Sequence, residues 1–316
     1  MFSTQLLTRE SDMTERSTIT AVTTQTSSRK FTDIPSRFFR FMKRWPVIPA
    51  VILFVIVISA VFAPLLAPYE PQKGDLRARN IPPVWLDGGD SAHWLGTDNL
   101  GRDMYTRMLY GARISLFVAA VAVAFGLIAG TATGIVAGYY GGMVDEILMR
   151  LVDLWSSLPF LLIALIVAIS VGPSLGMVMA LLALSSWSAG SRNIRGEVLS
   201  LRGREYVQMS RVMNASDFRI IMRHLLPNVM HVVIVITTLR TGSMIIAEAG
   251  LSFLGVGVPA SVPTWGLMIA QGQKFLTSTW WMSIMPGVAI FLIVMSFNFL
   301  GDWLRDRFDP RLSQLD

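Results

Sequence analysis

The chain has no cysteine, only three histidines, and few charges for its length. Of its 316 residues, 15% are charged, whereas a soluble domain of this size has about 25%. The absence of cysteine excludes disulfide bonds and thiolate chemistry. His93, His224 and His231 are far apart in the sequence, so no converging set of metal ligands is expected. The composition therefore predicts neither a metal site nor a catalytic thiol.

Motifs for catalysis are missing as well. The sequence contains no G-x-x-x-x-G-K-[ST] phosphate loop, no H-E-x-x-H zinc motif and no G-x-S-x-G nucleophile elbow. We therefore expect no catalytic residue and no cofactor in this chain. A membrane-bound enzyme is left without a supporting motif.

Long apolar blocks are what the sequence has instead. Hydrophobic residues make up 53% of the chain, and a bilayer core of about 30 Å needs about 20 helical residues. The blocks are Pro46–Leu66, Ile114–Gly138, Leu148–Val171, Leu175–Ala189, Asn228–Glu248 and Ser283–Leu304. The fourth block is short, and we expect its helix to continue into the polar segment that follows. The pattern predicts an all-α integral membrane protein with six transmembrane helices.

The positions of Lys and Arg predict the orientation of these helices. If the N-terminus lies inside, the inner segments hold 18 basic residues and the outer segments hold 7. Both termini are therefore expected in the cytoplasm. The predicted organisation is a disordered, Ser/Thr-rich cytoplasmic tail (1–34), a first transmembrane helix with an extracytoplasmic loop (35–113), a five-helix core with a cytoplasmic loop at 190–227 (114–304), and a cytoplasmic C-terminal tail (305–316).

The polar segment between the fourth and fifth blocks has too regular a pattern for a simple connector. From Glu205 it shows helical periodicity, followed by the turn-former Asn214 and a second helical run that ends at Leu226–Pro227. Two short helices joined by a tight turn, on the basic side of a membrane protein, favour a docking element for a soluble partner.

Glycine recurs at every fourth residue in the second block, at Gly126, Gly130, Gly134 and Gly138. These positions form a slowly drifting stripe on one face of a helix. Small residues allow helix backbones to approach closely in lipid. We therefore expect the stripe to pack against another helix.

Two ionisable residues lie deep in the fifth block. Arg240 is thirteen residues beyond Pro227, about 20 Å along a helix, and Glu248 is eight residues further. A charge at this depth is costly unless it faces water or a partner, so both are possible pore-lining residues. Arg240 either meets an anionic group of a substrate or pairs with an acid elsewhere in the assembly.

The polar segment resembles the EAA loop of permease subunits of binding-protein-dependent ABC importers. Glu205 matches the leading acid, Met209-Ser210 match two common alanines, Asn214 matches the usual glycine, and Leu226-Pro227 match the closing Leu-Pro. Asparagine tolerates the left-handed conformation better than other non-glycine residues, so we expect Asn214 to preserve the turn. Met209 is bulkier than the alanine it replaces.

Six further motifs extend the resemblance over residues 35–311. They are His93 to Arg102 (HWLGTDNLGR), Gly111 to Leu116 (GARISL), Gly250 to Gly255 (GLSFLG), Pro263 to Gly266 (PTWG), Asn298 to Asp302 (NFLGD) and Asp309 to Arg311 (DPR). Together they resemble the dipeptide/oligopeptide/nickel permease family, and in particular its C-type subunit.

The resemblance implies a type I importer permease in a prokaryotic inner membrane, with peptide as the expected substrate. This subunit would form half of a pore with a homologous permease. Two cytoplasmic ATPases, which bind ATP and Mg, would dock on the paired loops, and an extracytoplasmic binding protein would deliver substrate. No nucleic-acid partner is implied. The coupling role falls on Glu205, Met209, Ser210, Asn214, Ala215, Ser216 and Pro227.

A stand-alone transporter driven by an ion gradient is the alternative. Asp153 and Glu248 are then the candidate proton-carrying acids. Such transporters often contain a pair of Gly- or Pro-broken spans in matching halves, and the sequence shows no such pair.

Overall fold

The computed structural model describes residues 46–308, and these residues are helical apart from loops and one isolated β-bridge between Thr97 and Asp103. The α-helices in chain order are α1 (Val47–Val61), α2 (Ala63–Leu66), α3 (Met104–Tyr140), α4 (Gly142–Ser157), α5 (Phe160–Val171), α6 (Leu175–Arg202), α7 (Glu205–Val212), α8 (Asp217–Ile220), α9 (Leu226–Phe253), α10 (Trp265–Gly272) and α11 (Trp281–Phe308). The expected N-terminal tail (1–34) and most of the C-terminal tail lie outside the described residues.

Three helical runs in the described part are long and apolar enough to cross a membrane. They are α3, the continuous run Asp217–Phe253 and α11, and a fourth is added if α4 and α5 count as one span. The 15-residue α1 is apolar but shorter. The helix of the fourth apolar block does continue into the polar segment, as predicted, and ends at Arg202.

The third apolar block, predicted as one span, is broken. Its two parts, α4 and α5, meet at an angle of 79°. Pro159 lacks an N–H group and disfavours helical conformation in the residue before it. Leu158 is accordingly extended, with φ −90° and ψ 135°.

The long helix α3 packs closely along α6. A Cβ atom added to Gly130 would lie 2.9 Å from the carbonyl oxygen of Trp187, and one added to Gly134 would lie 2.8 Å from that of Ser191. Gly126 and Gly138 face the same helix at similarly short range. The glycine stripe therefore lets the α6 backbone lie against α3 along about three turns.

Two apolar clusters hold the helices together. The larger cluster joins α1, α3, α5, α6, α9, α10 and α11. The smaller one lies where α3, α6 and α9 meet the polar segment, and it includes the buried residues Ile194, Val207 and Leu225. This second cluster positions the candidate site.

Candidate functional site

The polar segment folds as two helices joined by a tight turn, which we call the coupling segment (residues 205–225). Asn214 has φ +58°, the left-handed conformation that the sequence predicted. The amide of Ala215 donates to the carbonyl oxygen of Ser210 at 3.0 Å, which closes the end of α7. Ser216 then caps α8, because its Oγ accepts from the amide of Arg219 at 3.4 Å.

The second helix of the coupling segment does not end at Leu226–Pro227, so that prediction was wrong. α8 continues through a π-helical turn, Ile221–Leu225, into α9. Pro227 lies in the first turn of α9. A proline in a regular helix removes one hydrogen bond and clashes with the carbonyl four residues earlier. The π turn changes the bonding register just before the proline, and the helical run continues.

Apolar side chains seat the coupling segment on the helices beneath it. Val207, Ile220 and Leu225 are fully buried, together with Val198 of α6 and the nearly buried Ile135 of α3. Burying each such side chain contributes about 1.5–3 kcal/mol. The segment is therefore packed onto the membrane helices and does not hang from them as a free loop.

Polar contacts fix the same segment to the end of α3. The Tyr139 hydroxyl donates to Asp217 Oδ1 at 2.6 Å, and the guanidinium of Arg211 lies 4.8 Å from the centroid of the Tyr139 ring. Arg202 donates to the carbonyl oxygens of Gly138 and Tyr139 at 3.3 and 3.2 Å. These carbonyl groups belong to the last turn of α3, where cationic donors are favourable.

The opposite face of the coupling segment is apolar and exposed. Its exposed side chains are Met209 (64%), Val212 (82%), Met213 (82%), Phe218 (70%) and Met222 (47%). Contiguous exposed apolar residues with polar neighbours mark interaction sites. Beside them lies a groove of about 620 Å³, lined by Ser216, Phe218, Arg219, Met222, Arg223 and Pro227.

The residues assigned to ATPase coupling fall into two groups. Glu205, Met209, Asn214, Ser216 and Pro227 are exposed, whereas Ser210 and Ala215 are half-buried. The Ser210 hydroxyl donates to the carbonyl oxygen of Tyr206 at 2.8 Å and lies 3.3 Å from Nε2 of His224. Ser210 thus links α7 to the π turn.

Two ion pairs connect α4 to α6 below the glycine stripe. Arg195 binds both carboxylate oxygens of Asp145, at 2.5 and 2.6 Å, and Arg192 contacts Asp153 at 2.8 Å. The hydrogen bonds that Arg195 donates to Asp145 raise the pKa of Arg195 above its ordinary value. Asp153, a candidate proton carrier in the sequence, is thus already paired with a cation.

A cavity of about 1230 Å³ lies between α6, α7, α9 and α11. Arg240, one of the two possible pore-lining residues, lies in its wall. The other lining residues are Asn193, Glu197, Ser200, Leu201, Arg204, Tyr206, Asn228, His231, Val232, Val235, Ile236, Leu239, Ser243, Arg305 and Phe308. α9 supplies eight of the sixteen lining residues. Their spacing of three or four positions places them on one face of that helix.

Glu248, the second possible pore-lining residue, does not line this cavity. It has no exposed surface. Its two carboxylate oxygens accept from Ser115 Oγ at 3.2 Å and Ser252 Oγ at 2.8 Å, and Ser115 Oγ also accepts from the amide of Trp265 at 3.4 Å. The carboxylate therefore joins α3, α9 and the start of α10.

This polar cluster explains three motifs that the sequence could not connect. Ser115 belongs to the GARISL motif, Ser252 to GLSFLG and Trp265 to PTWG. These three residues are 13 to 150 positions apart in the chain and converge on Glu248. Sequence spacing alone carried no signal for this convergence.

The HWLGTDNLGR motif builds a second buried cluster. Asp103 caps α3 by accepting from the amide of Thr106 at 2.7 Å. In addition, the fully buried Asp98 accepts from Arg102 Nε at 2.7 Å and from Arg107. Gln271 of α10 accepts from both arginines. The loop is thereby joined to α10.

The described residues contain no group of three or more potential metal ligands. The candidate site consists of the exposed coupling segment and the cavity that Arg240 lines. The arrangement combines an exposed apolar surface with a cavity, and the helical run Asp217–Phe253 joins the two.

Comparison with protein families gives two matches. Residues 130–314 match the family described as "Binding-protein-dependent transport system inner membrane component". Residues 37–83 match the family described as "N-terminal TM domain of oligopeptide transport permease C". The resemblance inferred from the motifs is thus confirmed.

Curated relatives agree with these matches. A dipeptide transport system permease protein of Bacillus subtilis is 41% identical over 83% of this chain and 80% of its own length. A di/tripeptide transport system permease protein of Pseudomonas aeruginosa is 38% identical over 82% and 86%. A glutathione transport system permease protein of Pectobacterium atrosepticum is 38% identical over 87% and 90%.

A solved structure supports the fold. A chain of the inward-facing MetNI methionine ABC transporter is 17% identical and superposes with a TM-score of 0.55, covering 65% of this chain and 98% of that one. At this identity the likeness concerns the fold alone, which is that of type I ABC importer permeases. Together with the family match over more than half of its residues, this places the chain among the binding-protein-dependent transport system inner membrane components.

Proposed function

We propose that this chain is one permease subunit of an ATP-driven importer of di- and oligopeptides in a prokaryotic inner membrane. Peptide is the substrate named for most of the relatives above. In this proposal six helices span the membrane, both termini are cytoplasmic, and a homologous permease forms the other half of the pore. Two ATPase subunits supply ATP hydrolysis with Mg, and an extracytoplasmic binding protein delivers the peptide.

The observation that carries the proposal is the exposed apolar face of a well-anchored coupling segment. Met209, Met213 and Phe218 present large apolar surface on an otherwise polar segment. Interfaces between proteins concentrate such side chains at their centres. An ATPase surface that covers this face would remove its apolar side chains from water.

A single helical run provides the mechanical link from this face to the cavity. The run Asp217–Phe253 begins in the coupling segment and contains Arg240. From Asp217 to Arg240 the distance along the axis is about 35 Å. A movement imposed by the ATPases on α8 would therefore reach the cavity as a rigid-body motion of α9, switching the pore between two packed states.

The gradient-driven alternative loses its two candidate acids. Asp153 is paired with Arg192 outside the cavity lining. Glu248 is enclosed by hydrogen-bonding serines. Neither carboxylate is placed on the cavity, so a proton path through them has no geometric support.

Co-purification with ATPase assays tests the proposal. The chain is tagged, expressed with its neighbouring genes and solubilised gently. We expect ATPase subunits to copurify, and we expect Glu205→Ala and Ser216→Arg to release or uncouple them. Glu146→Ala, which removes an exposed acid of α4, is the control and should change neither property. ATP-independent uptake by vesicles that contain the chain alone would refute the proposal.

A further inference from the structure

Apolar side chains of α9 form one wall of the cavity, and four of its sixteen lining residues are charged. Between His231 and Arg240, the α9 face is formed by Val232, Val235, Ile236 and Leu239. Ligand sites typically combine apolar walls with a few polar groups that fix orientation. The charged lining residues other than Arg240 are Glu197 on α6 and two arginines, Arg204 and Arg305, that are exposed near the coupling segment.

Among the charged residues that line the cavity, Arg240 is the one carried by α9. Within residues 46–308 its guanidinium makes no ion pair, and its backbone carbonyl accepts from Ser243 Oγ at 2.8 Å. Glu248, the next acid along the helix, is occupied by Ser115 and Ser252. A half-buried guanidinium at membrane depth requires an anionic or strongly polar partner.

We infer that Arg240 binds the C-terminal carboxylate of a short peptide as the peptide passes through the cavity, an inference that rests on the proposed permease role. Guanidinium presents two parallel N–H donors that match a carboxylate, and this bidentate contact is among the strongest polar contacts in proteins. Arg240 is therefore a binding and specificity residue for the terminal carboxylate.

The dimensions of the cavity fit a short peptide. Nine residues separate His231 from Arg240, which is about 13 Å along α9. An extended chain spans at most about 3.6 Å per residue, so two or three residues span about 7–11 Å. A di- or tripeptide anchored at Arg240 would lie against the apolar wall, within the stretch of α9 that extends back to His231.

The test compares a neutral dipeptide with its C-terminal amide, which lacks the negative charge. Binding of each is measured by equilibrium dialysis on the purified, nucleotide-free complex without the binding protein. The proteins are the wild type, Arg240→Gln and Arg240→Lys. Arg150→Gln is the matched control, because Arg150 is an exposed arginine of α4 outside the cavity. Size-exclusion chromatography reports assembly for each variant.

In the wild type we expect the acid to bind at least about 10-fold more tightly than the amide. Arg240→Gln should abolish this preference, Arg240→Lys should keep part of it, and Arg150→Gln should keep all of it. An unchanged preference in assembled Arg240→Gln would overturn the inference. A second combination of results would also overturn it: Arg240→Gln fails to assemble, and Arg240→Lys assembles but does not prefer the acid over the amide. Arg240 then pairs with an acid of another subunit.

The inference and the proposed function can fail separately. If the wild-type complex in proteoliposomes with the binding protein shows no ATP-dependent uptake of either dipeptide, the peptide importer function itself is refuted. If uptake is present but the acid and the amide bind the wild type equally, only the role of Arg240 is refuted.

Discussion

Replacing Tyr139 by phenylalanine tests whether the end of α3 holds the coupling segment in place. The Tyr139 hydroxyl donates to Asp217 Oδ1 at 2.6 Å, and a hydrogen bond to a charged group contributes about 1.5–3 kcal/mol. Because Asp217 is exposed, water can replace the hydroxyl, and we expect the lower value of about 1.5 kcal/mol. This energy corresponds to about a 10-fold change in the opening equilibrium of α8.

Hydrogen–deuterium exchange of the purified complex measures this opening. The amide of Ile220 is bonded to the carbonyl oxygen of Ser216 at 3.0 Å and should exchange about 10-fold faster in Tyr139→Phe. Tyr140→Phe is the matched control, because Tyr140 is an exposed neighbour without a hydroxyl hydrogen bond in the described part of the chain. Equal exchange at Ile220 in wild type and Tyr139→Phe would refute the argument that this bond anchors the segment.

Three further predictions concern the packing and the turn. Gly130→Val should lower the melting temperature of the solubilised chain, since the added Cβ would lie 2.9 Å from the carbonyl oxygen of Trp187; Gly176→Val, at an open position of α6, is the control. Asn214→Val should destabilise the coupling segment by about 1–2 kcal/mol, because a β-branched residue at φ +58° is strained. Asn214→Gly, the control, should not destabilise it. Limited proteolysis compares the two variants, and equal rates of cleavage would contradict the argument. Glu248→Leu should lower the melting temperature more than Glu248→Gln, since leucine leaves two buried serine hydroxyls without their acceptor, at about 1–3 kcal/mol each.

Local features of this protein could be predicted well from its sequence. The left-handed turn at Asn214 and the continuation of the fourth helix into the polar segment both follow the predicted pattern. Each depends on the conformational preference of a few neighbouring residues. The effect of a proline was harder to judge: Pro159 breaks its block, whereas Pro227 does not end its helix. The difference lies in the π turn that precedes Pro227, which composition does not reveal.

The sequence by itself determined that the chain is helical and apolar, that a regular polar segment interrupts it, and, through its motifs, to which family it belongs. Only the tertiary structure decided which residues meet. Arg240 and Glu248 are both ionisable and lie on one helix, yet the first lines a cavity and the second is enclosed by serines from distant motifs. Eight residues turn a helix by two turns and about 80°, so the two side chains face different neighbours. Which neighbours those are depends on how the other helices pack, and no local pattern in the chain records that packing.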